Sequence, residues 1–192
     1  MSCVVGMVDK KKKTMVFAGD SALAHGIYDV QLRRAQKTFV NGKAIVGVCG
    51  SPRDLQLIQH GVDYSIPHEV MTGGRDVIER FLTMDFVERI RKCLKSNGAL
   101  TTDDGQESMD SEMMIGIAGS IFRIGAWFAV EQSQFDFDSI GCGSTYAKGA
   151  LYVLHVSSID METKLVSALM AAAEFSAYVR QPFGLTELSY KK

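Results

Sequence analysis

The chain has little of several things that would assign a protein to a class at once. Its three prolines are too few for a proline-rich disordered segment, and 46% hydrophobic against 22% charged residues is an ordinary globular balance. A net charge of −1 leaves no basic excess of the kind a dedicated nucleic-acid binder carries, so no nucleic-acid partner is expected. The dense basic run Lys10–Lys13 falls where a hairpin tip is expected and reads as a solvated turn. No run approaches the ~20 apolar residues of a membrane helix, and the start has no signal-peptide pattern, so no membrane association is expected. The four cysteines, Cys3, Cys49, Cys93 and Cys142, are widely spaced and form no paired ligand motif. They fit reduced thiols in a cytoplasmic protein, with no metal and no cofactor. There is no solenoid repeat, and Gly141-Cys142-Gly143 lacks the lysine of a phosphate loop. His25, His60, His68 and His155 share no spacing and receive no catalytic role.

What is present is a sequence of apolar runs and helical periods. At 192 residues one domain, 1–192, is expected. Residues 2–8, 14–19 and 43–49 are continuous apolar runs, the mark of strands covered on both faces. Ser51 and Pro52 then supply an N-cap and a tolerated first-turn proline, and apolar spacing through Leu94 reads as helix. The polar stretch 95–111 reads as a long mobile loop. Strands return at 113–118, 121–124 and 127–131, two helices follow Gly143, and the tail Gly184–Tyr190 adds a last strand. This order suits two stacked sheets between two helical layers, an α+β fold.

The opening Met-Ser-Cys-Val-Val-Gly carries the candidate chemistry. A serine hydroxyl needs a base, and a serine that becomes the first residue has one in its own α-amine, which titrates near ~7.7–8.0. Ser2 is small enough that removal of Met1 is expected. Lys37 can lower the proton affinity around such a serine, Asp20 can hold Lys37 by an ion pair, and the Gly50 N–H can receive an oxyanion. Cys3 would need a different cleavage to become terminal and is read as a strand residue.

In that order these residues resemble the proteasome-type peptidases, a branch of the N-terminal-nucleophile hydrolases. The resemblance runs from Ser2 and Gly6 through Val16–Asp20, Gln36–Phe39, Gly47–Asp54 and Ile140–Leu151 to Leu185–Tyr190. It implies a four-layer αββα sandwich, with Ser2 as nucleophile and base, Asp20 and Lys37 as the charge pair and Gly50 as oxyanion donor. It further implies a side-chain pocket at Val48 with Leu23 and Pro52 nearby, favouring apolar or aromatic residues before the cut. Cys142 stands where the family often has a supporting serine, and Glu174 where it commonly has a supporting aspartate. As partners the resemblance implies polypeptide substrates, a homo-oligomeric ring or double ring and, in some branches, an ATP-dependent unfoldase. A non-catalytic structural subunit and a small-molecule amidase of the same fold are the alternatives.

Overall fold

The computed structural model describes residues 2–25, 29–32 and 36–190. Its first strands are β1 (Cys3–Asp9), β2 (Thr14–Gly19), β3 (Ala22–His25), β4 (Asp29–Leu32), β5 (Thr38–Asn41) and β6 (Ala44–Gly50). Helices α1 (Pro52–Gly61), α2 (His68–Thr72), α3 (Arg75–Phe81) and α4 (Val87–Ser96) follow, the last two joined by a π-helical turn at Leu82–Phe86. Next come β7 (Thr101–Asp103), β8 (Gln106–Ser108), β9 (Ser111–Ile117), β10 (Ser120–Ile124), β11 (Val130–Glu131) and β12 (Phe137–Gly141). The chain closes with α5 (Ser144–Leu154), α6 (Met161–Phe175) and β13 (Gly184–Ser189).

Two antiparallel sheets, ordered β12-β1-β2-β13 and β11-β10-β9-β6-β5, lie face to face. Because side chains alternate along a strand, each strand feeds two cores. Cys3, Val5 and Met7 of β1 pack under α5 and α6 with Leu165, Ala168, Leu169 and Ala172, spaced for one helix face. Val4 and Val8 point the other way and meet Ile45, Cys49 and Met114 of the second sheet. Val46 and Val48 of β6 and Met113 and Ile115 of β9 face Ile58, Ile78, Leu82, Phe86 and Ile90 of the other helical layer. Both faces of both sheets are covered, which is why the strands read as unbroken apolar runs. The layers are helix, sheet, sheet, helix, as the element order requires.

α1 begins where the sequence places it: the Ser51 side chain accepts from the amides of Arg53 and Asp54, and Pro52 occupies the first turn. Residues 10–13 form the turn between β1 and β2, with Asp9 Oδ1 accepting from the amides of Lys11 and Lys12. Two expectations change. Stretch 95–111 contains the β7–β8 hairpin, turned by Asp104 and Gly105 at positive φ and tied to α4 by Glu107, which pairs with Arg91 and Lys95. In 127–131 only Val130–Glu131 is a strand, and Trp127 is exposed in the turn before it.

Strand ends converge at one corner. The registers set Cys3 opposite Gly141, Val4 opposite Gly19, and Gly50 opposite Ser111, so the start of β1, the ends of β2, β12 and β6, and the start of β9 meet there.

Candidate active site

Ser2 stands at that corner, 3% exposed, one residue ahead of β1. Asp20 follows the last residue of β2 and is buried beneath it. Its Oδ1 accepts from the Cys3 amide at 2.9 Å and its Oδ2 from the Ala22 amide at 3.0 Å, while the Asp20 amide donates to the Cys3 carbonyl at 3.2 Å. Lys37, just before β5, donates from Nζ to Asp20 Oδ1 at 2.7 Å and to the Ala22 carbonyl at 2.6 Å. The Asp20 side chain is fully buried and that of Lys37 11% exposed, so two charges removed from water compensate each other. The Val48 amide donates to the Lys37 carbonyl at 2.9 Å, tying the lysine's backbone to β6. Thus the ion pair expected from sequence forms, and its carboxylate is bonded to the residue next to Ser2.

The other side of Ser2 is enclosed by Gly141-Cys142-Gly143. The Ser2 amide donates to Cys142 Sγ at 3.2 Å, and the Ser2 carbonyl accepts from Cys142 Sγ at 3.3 Å and from the Gly143 amide at 3.3 Å. Gly141 has φ +90°, and a Cβ there would lie 2.3 Å from the Ser2 carbonyl oxygen. Only glycine lets the turn close this tightly on the chain's start. The two glycines that superficially suggest a phosphate loop therefore serve the approach to Ser2.

Ser2, Cys142 and Gly50 line one cleft of about 520 Å3, with Ser111, Glu112, Arg123, Ser139 and Lys148 among its other walls. Gly50 has φ +140°, and a Cβ would meet the Asp110 carbonyl at 2.3 Å, so the strand's own neighbour demands glycine here. The cleft offers a hydroxyl and a glycine corner around one space, and the buried Lys37–Asp20 pair, which does not line it, is joined to it through the Cys3 amide beside Ser2.

The cysteines separate by environment. Burial pushes the Cys3 thiol up to about 12, against the opposing hydrogen bond to Ser139, and burial pushes Cys49 well above the ordinary thiol range. Burial also raises Cys93. Such thiols stay protonated and are poor nucleophiles, which agrees with Cys3 as a strand residue. Cys142 is the exposed one of the four.

Other expected site residues lie elsewhere. Glu174 is exposed on α6, and among the described residues it is Ser176, just past that helix, whose Oγ lies 3.7 Å from Cys142 Sγ. The helix ends at Phe175, and the residue after it reaches the Cys142 turn. Val48 is 2% exposed in the core under the first helical layer, on the face it shares with Ala44 and Val46. Leu23 is half-buried in β3 and Pro52 exposed at the start of α1, and none of these three is among the described residues lining the cleft. Met1 lies outside the described residues. Glu112, Arg123, Ser139 and Ser176 were not singled out by sequence, since lone polar residues at strand and helix ends carry no spacing signal. Among the described residues no cluster of metal-ligating side chains occurs, and no helix is long and apolar enough to cross a membrane.

No protein-family model matches the chain, and no curated protein matches it significantly. Solved structures do. BPH from Thiobacillus denitrificans in complex with epoxomicin is similar at TM-score 0.74 and 22% identity, over 98% of this chain and 100% of that chain. Eukaryotic HslV from Trypanosoma brucei is similar at TM-score 0.68 and 19% identity, over 97% of this chain and 99% of that one. The Gly-1 mutant of Anbu from Hyphomicrobium sp. strain MC1 is similar at TM-score 0.65 and 14% identity, over 98% of this chain and 82% of that one. The sandwich of two sheets between two helical layers is thus the fold that this chain shares with the BPH, HslV and Anbu structures.

Proposed function

We propose that this protein is a peptidase whose nucleophile is Ser2, freed at its amine by removal of Met1. The observation that carries the reading is the bonded series Lys37–Asp20–Cys3 beside Ser2, at the cleft Ser2 shares with Gly50. A structural subunit has no need of a buried lysine held at that position.

With Met1 removed, the Ser2 nitrogen changes from an amide to an amine and can act as a base. Ser2 Oγ attacks the peptide carbonyl carbon while its proton passes to the amine. The Gly50 N–H stabilises the tetrahedral oxyanion, and the C–N bond breaks as the leaving amine takes that proton. Water then attacks the acyl-Ser2 ester with the same amine as base, which regenerates the hydroxyl and releases the new carboxyl end. Lys37 keeps positive charge beside the amine and so disfavours its protonation, leaving more free base at neutral pH. Asp20 fixes that charge in place.

Substrates on this reading are unfolded polypeptides, admitted to a chamber formed by a homo-oligomeric ring or double ring. Supporting an assembly, the outer face of α5, α6 and the loop between them carries Tyr152, Val153, Val156, Met170 and Phe175 largely exposed. An ATP-dependent unfoldase is the partner such a chamber would use. The first test is hydrolysis of fluorogenic peptides: Ser2→Ala is expected to lower kcat by about a thousandfold or more while the fold persists. Hydrolysis by Ser2→Ala at the parental rate would reject the mechanism. Inhibition by epoxomicin, the compound held by the Thiobacillus BPH, is the companion check.

A further inference from the structure

Glu112 opens the second sheet's contribution to the cleft, at the start of β9 and opposite Cys49 of β6. Its carboxylate reaches across to the other sheet. Oε2 accepts from the Gly141 amide at 3.0 Å, and Oε1 accepts from Arg123 Nη2 at 2.5 Å. Arg123, on β10, donates from Nη1 to Glu131 Oε2 of β11 at 3.3 Å. The series Glu131–Arg123–Glu112 thus runs from the edge of the five-stranded sheet to the last residue of β12.

What Glu112 holds there matters for Ser2. Gly141 cannot shift freely, because its left-handed backbone already packs against the Ser2 carbonyl with no space for a Cβ. Its neighbour Cys142 touches both the nitrogen and the carbonyl of Ser2. A displacement of the Gly141 amide is therefore passed to the atoms around the proposed base. Although Glu112 lines the cleft, both of its oxygens are occupied, one by a backbone amide and one by a guanidinium, so it is not a free anion awaiting a substrate cation.

We infer that Glu112, oriented by Arg123, is a positioning residue: it holds the Gly141–Gly143 turn so that Cys142 fixes the Ser2 amine beside the Ser2 hydroxyl. The inference rests on the Ser2 reading above. It adds to the site a residue that acts through the Gly141–Gly143 turn and not on the reacting atoms themselves.

The test compares Glu112→Ala, Glu112→Gln and Arg123→Ala in the full chain, on the peptide substrate of the parent, with thermal midpoints recorded alongside. Glu112→Ala is expected to lower kcat about tenfold or more with KM within about twofold, since small misplacement of reacting groups costs that much. Glu112→Gln, whose amide oxygen still accepts the Gly141 N–H, is expected to recover most of that loss. Arg123→Ala should shift kcat in the same direction to a smaller extent, and it carries the test if Glu112→Ala fails to fold. A second readout does not depend on turnover: the rate at which acetic anhydride labels the Ser2 amine, read by mass spectrometry, should differ between Glu112→Ala and the parent. A parental kcat and labelling rate in Glu112→Ala, an equal loss in Glu112→Gln, or a change confined to KM would overturn the inference. Failure of the Ser2 reading looks different, as Ser2→Ala would then hydrolyse peptide like the parent.

Discussion

Lys37 and Lys164 are both drawn out of solvent, and the company they keep differs. Lys164, on the first turn of α6, donates to the carbonyls of His155 and Ser157 at 3.0 and 2.8 Å. Those carbonyls lie where α5 ends, and a cation there satisfies orphan acceptors and complements the helix dipole. Lys37 meets one carbonyl too, but its second partner is the buried carboxylate of Asp20, itself bonded to the amide beside Ser2. A lysine among carbonyls closes a helix end. A lysine paired to a carboxylate under the first strand is, on the proposed reading, what sets the charge around Ser2.

Substitution of the two lysines separates these roles. Lys37→Met is expected to abolish measurable peptide hydrolysis and, by leaving Asp20 buried and unpaired, to cost about 3 kcal/mol or more in denaturant unfolding. Unimpaired hydrolysis by Lys37→Met would remove the distinction. Lys164→Met is expected to cost about 2 kcal/mol of stability through its two charge-assisted hydrogen bonds, with kcat of the folded protein unchanged. A kcat loss there matching that of Lys37→Met would mean that both act through stability.

The two buried aspartates extend the contrast. Asp20 is fully paired, whereas Asp54, also 2% exposed, has an Oδ2 with no hydrogen-bond partner among the described residues. Burial pushes the Asp54 carboxyl up, the nearby Asp110 adds to this, and hydrogen bonds from Ser111 and the Asp110 backbone oppose it. Its folded-state value is therefore above the unfolded one. The parent is favoured below the unfolded value near ~3.9 and loses that stability as pH rises through the folded value. Asp54→Asn escapes this loss, so its stability relative to the parent should increase from about pH 4 upward. A pH-independent difference would show that the burial cost of Asp54 is already compensated.

Much of the architecture was legible because the sandwich covers both faces of each sheet, leaving continuous apolar runs at β1, β2 and β6. Ser51 and Pro52 marked the start of α1 by local chemistry alone. The β7–β8 hairpin was missed although Asp104-Gly105 is a strong turn signal, since its flanks are polar and lack an alternating apolar face. Of the residues expected at the site, Asp20 and Lys37 form an ion pair and Ser2, Gly50 and Cys142 line one cleft, Cys142 having come from the family resemblance alone. The Ser176–Cys142 contact depends on where α6 stops, and the Glu112–Gly141 bond on a contact between two sheets; neither leaves a periodic trace. Val48 followed its strand's alternation into the helix-facing core.

The central claim is that the chemistry belongs to Ser2 as the first residue, and Cys142, exposed and 3.2 Å from the Ser2 nitrogen, is the rival nucleophile. The direct measurement is mass spectrometry of the protein quenched in acid during turnover of an activated ester peptide, with the acyl group mapped to its residue. The account predicts an N-terminus beginning at Ser2 with the acyl group on that residue. Retained Met1, or an acyl group on Cys142, would contradict it.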